Sequence, residues 1–138
     1  MSIALGILMA IHGLITLAIG SVAVGGAPTP PEMSRLPGAA WYPVPLGDSW
    51  LLQGTFTRIG GVLWVVAGLG LVATAASILG IVIPTSAWRP IGLVSASAGL
   101  VAVVVFFHPY YAIAIAVDVA IIAAATSLEA TSRNALGI

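Results

Sequence analysis

Long runs of apolar residues, separated by short polar segments, dominate the chain. Each run is close to the about 20 residues that a helix needs to cross a hydrocarbon core roughly 30 Å thick. We therefore predict an all-α, integral membrane bundle of four transmembrane helices, antiparallel and with left-handed packing, that forms a single domain over residues 1–138. The predicted spans cover residues 3–24, 53–79, 90–107 and 110–128.

The last two spans meet at the sequence HPYY, residues 108–111. One continuous helix over both would be about 57 Å long at about 1.5 Å per residue, which is nearly twice the membrane thickness. Pro109 disfavours helical geometry at His108 and removes a backbone donor. The pattern therefore predicts an antiparallel hairpin that turns at His108–Pro109.

The first apolar run has a competing interpretation as a secretory signal peptide, because small residues follow it. The run is longer than a typical signal-peptide core, and no positively charged segment precedes it. We expect residues 3–24 to be the first membrane span.

The segment at residues 25–52 is the one substantial polar stretch, and it is rich in proline. Proline favours extended and turn conformations here. Trp41, Tyr42 and Trp50 are amphipathic aromatics of the kind that lie at headgroup depth. Two interpretations follow: a connector whose rings rest on the interface, or a lid over the mouth of the bundle. Either predicts that residues 27–50 cap one face.

Composition supports the membrane class. The chain is 60% hydrophobic and 6% charged, whereas about a quarter of the residues of a soluble domain are charged. Its four basic and four acidic residues include no lysine and no basic run, so a nucleic-acid partner is not expected. The chain contains no cysteine, which excludes disulfides and cysteine-ligated metals within it.

The arginines bear on orientation through the positive-inside rule. Arg89 and Arg133 fall at one side of the predicted bundle, with the α-amino group, whereas Arg35 and Arg58 fall at the other. This distribution favours cytoplasmic termini and an external proline-rich loop.

Small residues recur at intervals that allow helices to approach closely in lipid. A seven-residue interval keeps such positions on one stripe of a left-handed bundle. The stripes are Gly6, Gly13 and Gly20; Gly54, Gly61, Gly68 and Ala75; Gly92 and Gly99; and a four-residue ridge of Ala112, Ala116, Ala120 and Ala124.

Ionisable residues at membrane depth are costly and are therefore candidates for a functional site. Arg58 can alternatively extend to the headgroups, and His108 can cap the turn between the last two spans. Asp118 lies about eight residues, or about 12 Å, into the fourth span, too deep to reach water. We predict that Asp118 faces the bundle interior and pairs with Arg58, with His12 or Tyr111 as substitutes.

Antiparallel packing would bring these residues onto one polar line running inward from a membrane face. The catalytic candidates are Asp118, His12, Arg58 and His108. The candidate ligand-binding aromatics are Tyr111, Trp41, Trp50 and Trp64. No metal site is predicted, because no span carries metal-ligand spacing. Phosphate-binding loops and nucleophile elbows do not occur in the sequence.

Three stretches resemble the small four-helix membrane proteins of the DoxX-like type: ILMAIHGLITLAIG, FTRIGGVLWVVAGLGLVA and WRPIGLVSASAGLVAVVVFFHPYYAIAIAVDVAI. The resemblance is architectural and covers most of the chain. It implies a prokaryotic cell membrane and, through relatives linked to quinone-dependent oxidoreductases, a site for a quinone or another lipid-like molecule. It carries over no catalytic residue.

Three functional hypotheses remain open. The first is an accessory membrane subunit that binds a lipid-like or quinone-like molecule. The second is a membrane-embedded enzyme that uses Asp118 and a histidine as acid and base on a hydrophobic substrate. The third is a small oligomeric channel or transporter with Asp118 in its pathway. The expected partners are the lipid bilayer and either a membrane protein or further copies of the chain.

Overall fold

The computed structural model describes residues 2–25, 49, 51–52, 54–107 and 111–126. These residues form four helices and no strand, so the predicted all-α class is confirmed. A 3₁₀ turn over Thr85–Ala87 leads into the third helix. The helices are α1 (Ser2–Gly25), α2 (Thr55–Ile78), α3 (Trp88–Val105) and α4 (Ala112–Thr126).

The lengths and compositions of the helices are those of a membrane protein. Three segments are long and apolar enough to cross a membrane, namely Ile3–Gly25, Thr55–Ile78 and Thr85–Val105. The fourth helix is apolar but shorter over its described residues. The observed helix ends differ from the predicted span ends by one or two residues.

α1 packs against α2 through glycines that leave no room for a side chain. A Cβ atom at Gly6 would lie 2.6 Å from Leu79, and one at Gly20 would lie 2.8 Å from the backbone nitrogen of Val65. Later residues of α1 thus meet earlier residues of α2, so the two helices are antiparallel. The closest approach to a backbone is at Gly68, where a Cβ would lie 2.6 Å from the nitrogen of Leu17.

α3 packs on the other side of α2, also in the antiparallel sense. A Cβ at Gly60 would lie 3.3 Å from the ring of Phe106, and one at Gly92 would lie 3.3 Å from Thr74. The early part of α2 therefore lies beside the end of α3, and the late part of α2 lies beside its beginning.

α4 returns along α3. Asp118 fills the space beside Gly99, and the Arg89 guanidinium donates two hydrogen bonds, of 3.0 and 2.7 Å, to the carbonyl of Ala125. α3 ends before α4 begins. The predicted antiparallel pairing of the last two helices is confirmed, while the predicted turn residues His108–Pro109 lie outside the described residues.

Two predicted small-residue stripes differ from the structure. Gly54 precedes α2 with a φ of 57°, and an added Cβ would meet nothing within 4 Å, so it shapes the entry to the helix and packs no neighbour. Ala112, Ala116 and Ala120 are exposed, so the prediction that the alanine ridge packs within the bundle is wrong for these three residues; only Ala124 packs against a buried cluster. α4 turns its Asp118 face inward instead, because exposing a carboxylate to lipid costs more than exposing alanine.

A glycine ends α2 and directs the chain towards α3. Gly80 has a φ of 66°; its N–H donates to the Ser77 carbonyl at 3.1 Å, and the Ile81 N–H donates to the Ala76 carbonyl at 2.8 Å. This is the Schellman arrangement of a helix C-terminus. The Ser77 hydroxyl also donates to the Pro84 carbonyl at 2.6 Å, which ties the link to the helix end.

The proline-rich segment reaches the bundle at Ser49. Its hydroxyl donates to the carbonyl of Val105 and accepts hydrogen bonds from the N–H groups of Leu51 and Leu52. The end of the connector is thereby attached to the end of α3. The rest of the predicted cap at 27–50, with Trp41 and Trp50, lies outside the described residues.

Candidate functional site

The centre of the bundle contains a polar pair formed by two helices distant in sequence. The Nε2 atom of His12, midway along α1, lies 3.3 Å from Oδ1 of Asp118, midway along α4. The Asp118 side chain is 3% exposed and that of His12 is 15% exposed. The prediction that Asp118 faces the interior and has a polar partner is confirmed, and the partner is His12.

Neighbouring small residues allow this pair to form. Gly99 of α3 lies against the Asp118 carboxylate, and a Cβ there would overlap it. Gly13, next to His12, would bring a Cβ to 2.9 Å from the backbone of Val72, so α1 lies close against α2. The glycine stripe thus positions His12 beside its partner.

The predicted pairing of Asp118 with Arg58 is wrong. Arg58 lies in the first turn of α2 and is exposed. The neighbouring Gly60 packs at the level of Phe106, whereas Asp118 packs at Gly99, a separation of about 10 Å along the bundle. A long arginine side chain so near a helix end can extend to the headgroups at lower cost.

Buried hydroxyl groups lie at similar depth, and the sequence analysis did not single them out. Thr16 donates to the carbonyl of His12 at 2.8 Å, and Thr74 donates to that of Gly70 at 2.8 Å. Ser95 makes the same kind of bond one turn back along α3. Each donor is satisfied within its own helix, which leaves hydroxyl lone pairs as acceptors in the bundle. Thr16, Thr74 and Ser95 lie on the inward-facing sides of their helices, and this position is the sequence feature by which they could have been identified.

An aromatic cluster of Trp64, Phe106 and Tyr111 lies nearer the end of the bundle where α4 begins. The Trp64 ring centroid is 6.2 Å from that of Phe106 and 5.1 Å from that of Tyr111. Tyr111 was predicted to share a polar line with Asp118, but its ring is buried against Trp64 about 10 Å away along α4. Among the described residues, the indole nitrogen of Trp64 is a buried polar atom without a hydrogen-bond partner.

The predicted polar line is therefore represented by its inner part, His12 and Asp118. His108 lies outside the described residues, as do the candidate ligand-binding residues Trp41 and Trp50. Within the described part of the chain, no group of three potential metal-ligating side chains occurs.

The chemistry open to the pair follows from its atoms. Asp118 binds Nε2 of the imidazole, so it fixes the orientation of the ring. Nδ1 makes no hydrogen bond to a described residue, and it can donate to or accept from a further group, depending on the tautomer.

Comparison of the chain with protein-family models, with curated proteins and with solved structures found no match.

Proposed function

We propose that this chain is a small integral membrane subunit that holds a lipid-like or quinone-like molecule at the His12–Asp118 pair. The observation that carries the proposal is a cross-helix pair whose carboxylate is buried while its imidazole remains partly exposed. Ionisable side chains within a membrane are expensive and are usually retained for a function.

The exposed edge of His12 supports access from the bilayer. Its neighbours on α1, Ile11 and Ile15, are exposed apolar residues of the kind that face acyl chains. A molecule dissolved in the bilayer could approach sideways and offer one polar group to Nδ1. Such a ligand is apolar over most of its surface, as binding sites of this kind require few, well-placed polar contacts.

The proposal also includes the topology, the membrane and the partners of the chain. All four helices cross a prokaryotic cell membrane with left-handed crossings and cytoplasmic termini, and the chain works with a membrane protein partner or with further copies of itself. The resemblance to DoxX-like proteins stays a prediction. It is compatible with a quinone as the ligand.

The pair also favours a second candidate function, a membrane-embedded enzyme. A carboxylate that orients an imidazole is a recurring arrangement for general base catalysis. In that role His12 would take a proton from a hydrophobic substrate while Asp118 positions the ring. Turnover of a substrate that Asp118→Asn abolishes would distinguish the enzyme from the subunit.

The test of the proposal is mass spectrometry of small molecules extracted from the purified protein. The wild type is compared with His12→Gln and Asp118→Asn, and Ser21→Ala serves as the control because Ser21 is an exposed residue of α1 that bonds within its own helix. We expect one amphiphile to be enriched with the wild type and the control and depleted in both pair variants. Equal lipid profiles in all four proteins would refute the proposal.

A further inference from the structure

The indole N–H of Trp64 is a buried hydrogen-bond donor. The side chain is 1% exposed, and no described residue accepts a hydrogen bond from Nε1. Buried polar groups in folded proteins are nearly always paired, because an unpaired one keeps the cost of losing water without compensation. We infer that Trp64 donates to a carbonyl oxygen carried by an apolar molecule dissolved in the membrane, at a site separate from the His12–Asp118 pair.

The surroundings of Trp64 favour a carbonyl on an apolar body over a water molecule. Besides Phe106 and Tyr111, the buried members of its cluster are aliphatic: Ile19, Ala23, Ala102 and Val103. A buried water generally needs two to four polar partners, and this cluster offers few. A carbonyl oxygen attached to an acyl chain or an apolar ring needs a single donor and places its remaining surface against the aliphatic side chains.

The depth of Trp64 suits such a molecule. α1 ends at the level of Gly61, where a Cβ would lie 2.8 Å from Ala23, and α3 ends close to the same level. Trp64 lies three residues further in, about 5 Å along α2. The indole is thus just below the bundle surface, within reach of groups near the boundary between headgroups and acyl chains.

The side chain of Leu52 covers the end of the bundle that lies next to the aromatic cluster. Leu52 covers Gly60 at the same end of the bundle, where an added Cβ would lie 2.5 Å from its side chain. The Leu52 backbone is held through the hydroxyl of Ser49, which in turn bonds the last carbonyl of α3. Movement of Leu52 away from Gly60 would uncover the Phe106 edge of the aromatic cluster, which lies beside the same glycine, while leaving the helices in place.

Nuclear magnetic resonance of the indole N–H groups tests the inference directly. The protein is labelled with ¹⁵N-tryptophan and placed in nanodiscs of ester-linked phosphatidylcholine or of its ether-linked analogue, which lacks the acyl carbonyls. Trp64→Phe identifies the resonance. If that variant fails to fold, separate Trp41→Phe, Trp50→Phe and Trp88→Phe variants identify it by elimination. The Trp88 signal, from the opposite end of the bundle, is the internal control.

Two results support the inference and identify the source of the carbonyl. A Trp64 proton resonance that lies further downfield in ester lipid than in ether lipid, with Trp88 unchanged, assigns an acyl ester. A resonance that is alike in both lipids but moves downfield when decylubiquinone is added to the ether-lipid discs assigns a quinone carbonyl. In either case the shift should persist in Asp118→Asn, because the site is separate from the pair.

A Trp64 proton resonance with the same chemical shift in both lipids, and with no change on addition of decylubiquinone, would overturn the inference. It would mean that the N–H faces a neighbouring ring, a weaker interaction. That result would leave the proposed ligand at His12 and Asp118 untouched, since it is tested on different variants.

Discussion

His12 and Asp118, separated by 106 positions in the sequence, meet at the middle of the bundle with Nε2 and Oδ1 3.3 Å apart. The contact joins the first helix to the last, which pack mainly against their neighbours in sequence, α2 and α3. Because α1 and α4 each supply one residue of the pair, its hydrogen bond helps to hold these two helices together.

The pair should be visible as an energetic coupling in a double-mutant cycle. His12→Ala, Asp118→Ala and the double variant are unfolded reversibly in mixed micelles. We expect a coupling free energy of about 0.6 kcal/mol, the average that double-mutant cycles give for side-chain hydrogen bonds within a membrane protein. The matched cycle of Arg58 with Asp118 should give a value close to zero, because Arg58 lies about 10 Å away along the bundle. A larger coupling with Arg58 than with His12 would contradict the structure.

Gly99 should tolerate no side chain while Asp118 is present. A Cβ at this position would overlap the carboxylate, so Gly99→Ala must either turn the Asp118 carboxylate away from His12 or push α4 away from α3. Overpacking of this kind lowers the free energy of unfolding by about 1–3 kcal/mol. Combining it with Asp118→Ala should recover part of the loss. If Gly99→Ala is neutral by itself, the contact between α3 and α4 is looser than described.

The packing of α1 against α2 should be more sensitive to substitution of Gly68 than to substitution of a glycine outside this contact. A Cβ there would lie 2.6 Å from the backbone nitrogen of Leu17 and 2.8 Å from its Cα, and a helix backbone cannot move aside as a flexible side chain can. Gly68→Ala should therefore lower the free energy of unfolding by about 1–3 kcal/mol or more. Gly25→Ala is the control, because a Cβ there would meet nothing within 4 Å. Equal effects of the two substitutions would refute this prediction.

Arg89 should hold the last turn of α4. Its Nε and Nη2 atoms both donate to the carbonyl of Ala125, near the end of α4 as the structure describes it. Arg89→Ala should speed hydrogen exchange of the α4 amides near Ala125 while leaving α1 unchanged. Arg89→Lys should give an intermediate rate, because lysine lacks the planar fork that supplies two donors. Unchanged exchange in Arg89→Ala would show that α4 does not need this contact.

The sequence predicts the helices well because a helix in lipid needs only length and apolar composition, and both can be counted. It also predicts that Asp118 turns inward, since the cost of exposing a carboxylate to lipid does not depend on the details of packing. The partner of Asp118 was beyond the sequence. Whether Arg58 or His12 reaches it depends on how far the helices slide along one another, and that is set by glycine contacts such as Gly68 against Leu17.

The alanine ridge illustrates the same limit. Ala112, Ala116 and Ala120 have the spacing of a packing face, yet the opposite face of α4 is buried. Small residues permit close approach but do not demand it, whereas Asp118 demands burial. The unpaired indole of Trp64 could not be foreseen either, because it depends on which side chains surround the ring and not on any spacing along the chain.

Native mass spectrometry of the intact protein released from its own membranes tests the central claim most directly. We predict that the wild type and the Ser21→Ala control carry a bound amphiphile of one defined mass, and that Asp118→Asn and His12→Gln lose it while retaining the helical circular dichroism spectrum. An adduct of the same mass and occupancy on folded Asp118→Asn and His12→Gln would contradict the claim that the His12–Asp118 pair is the binding site.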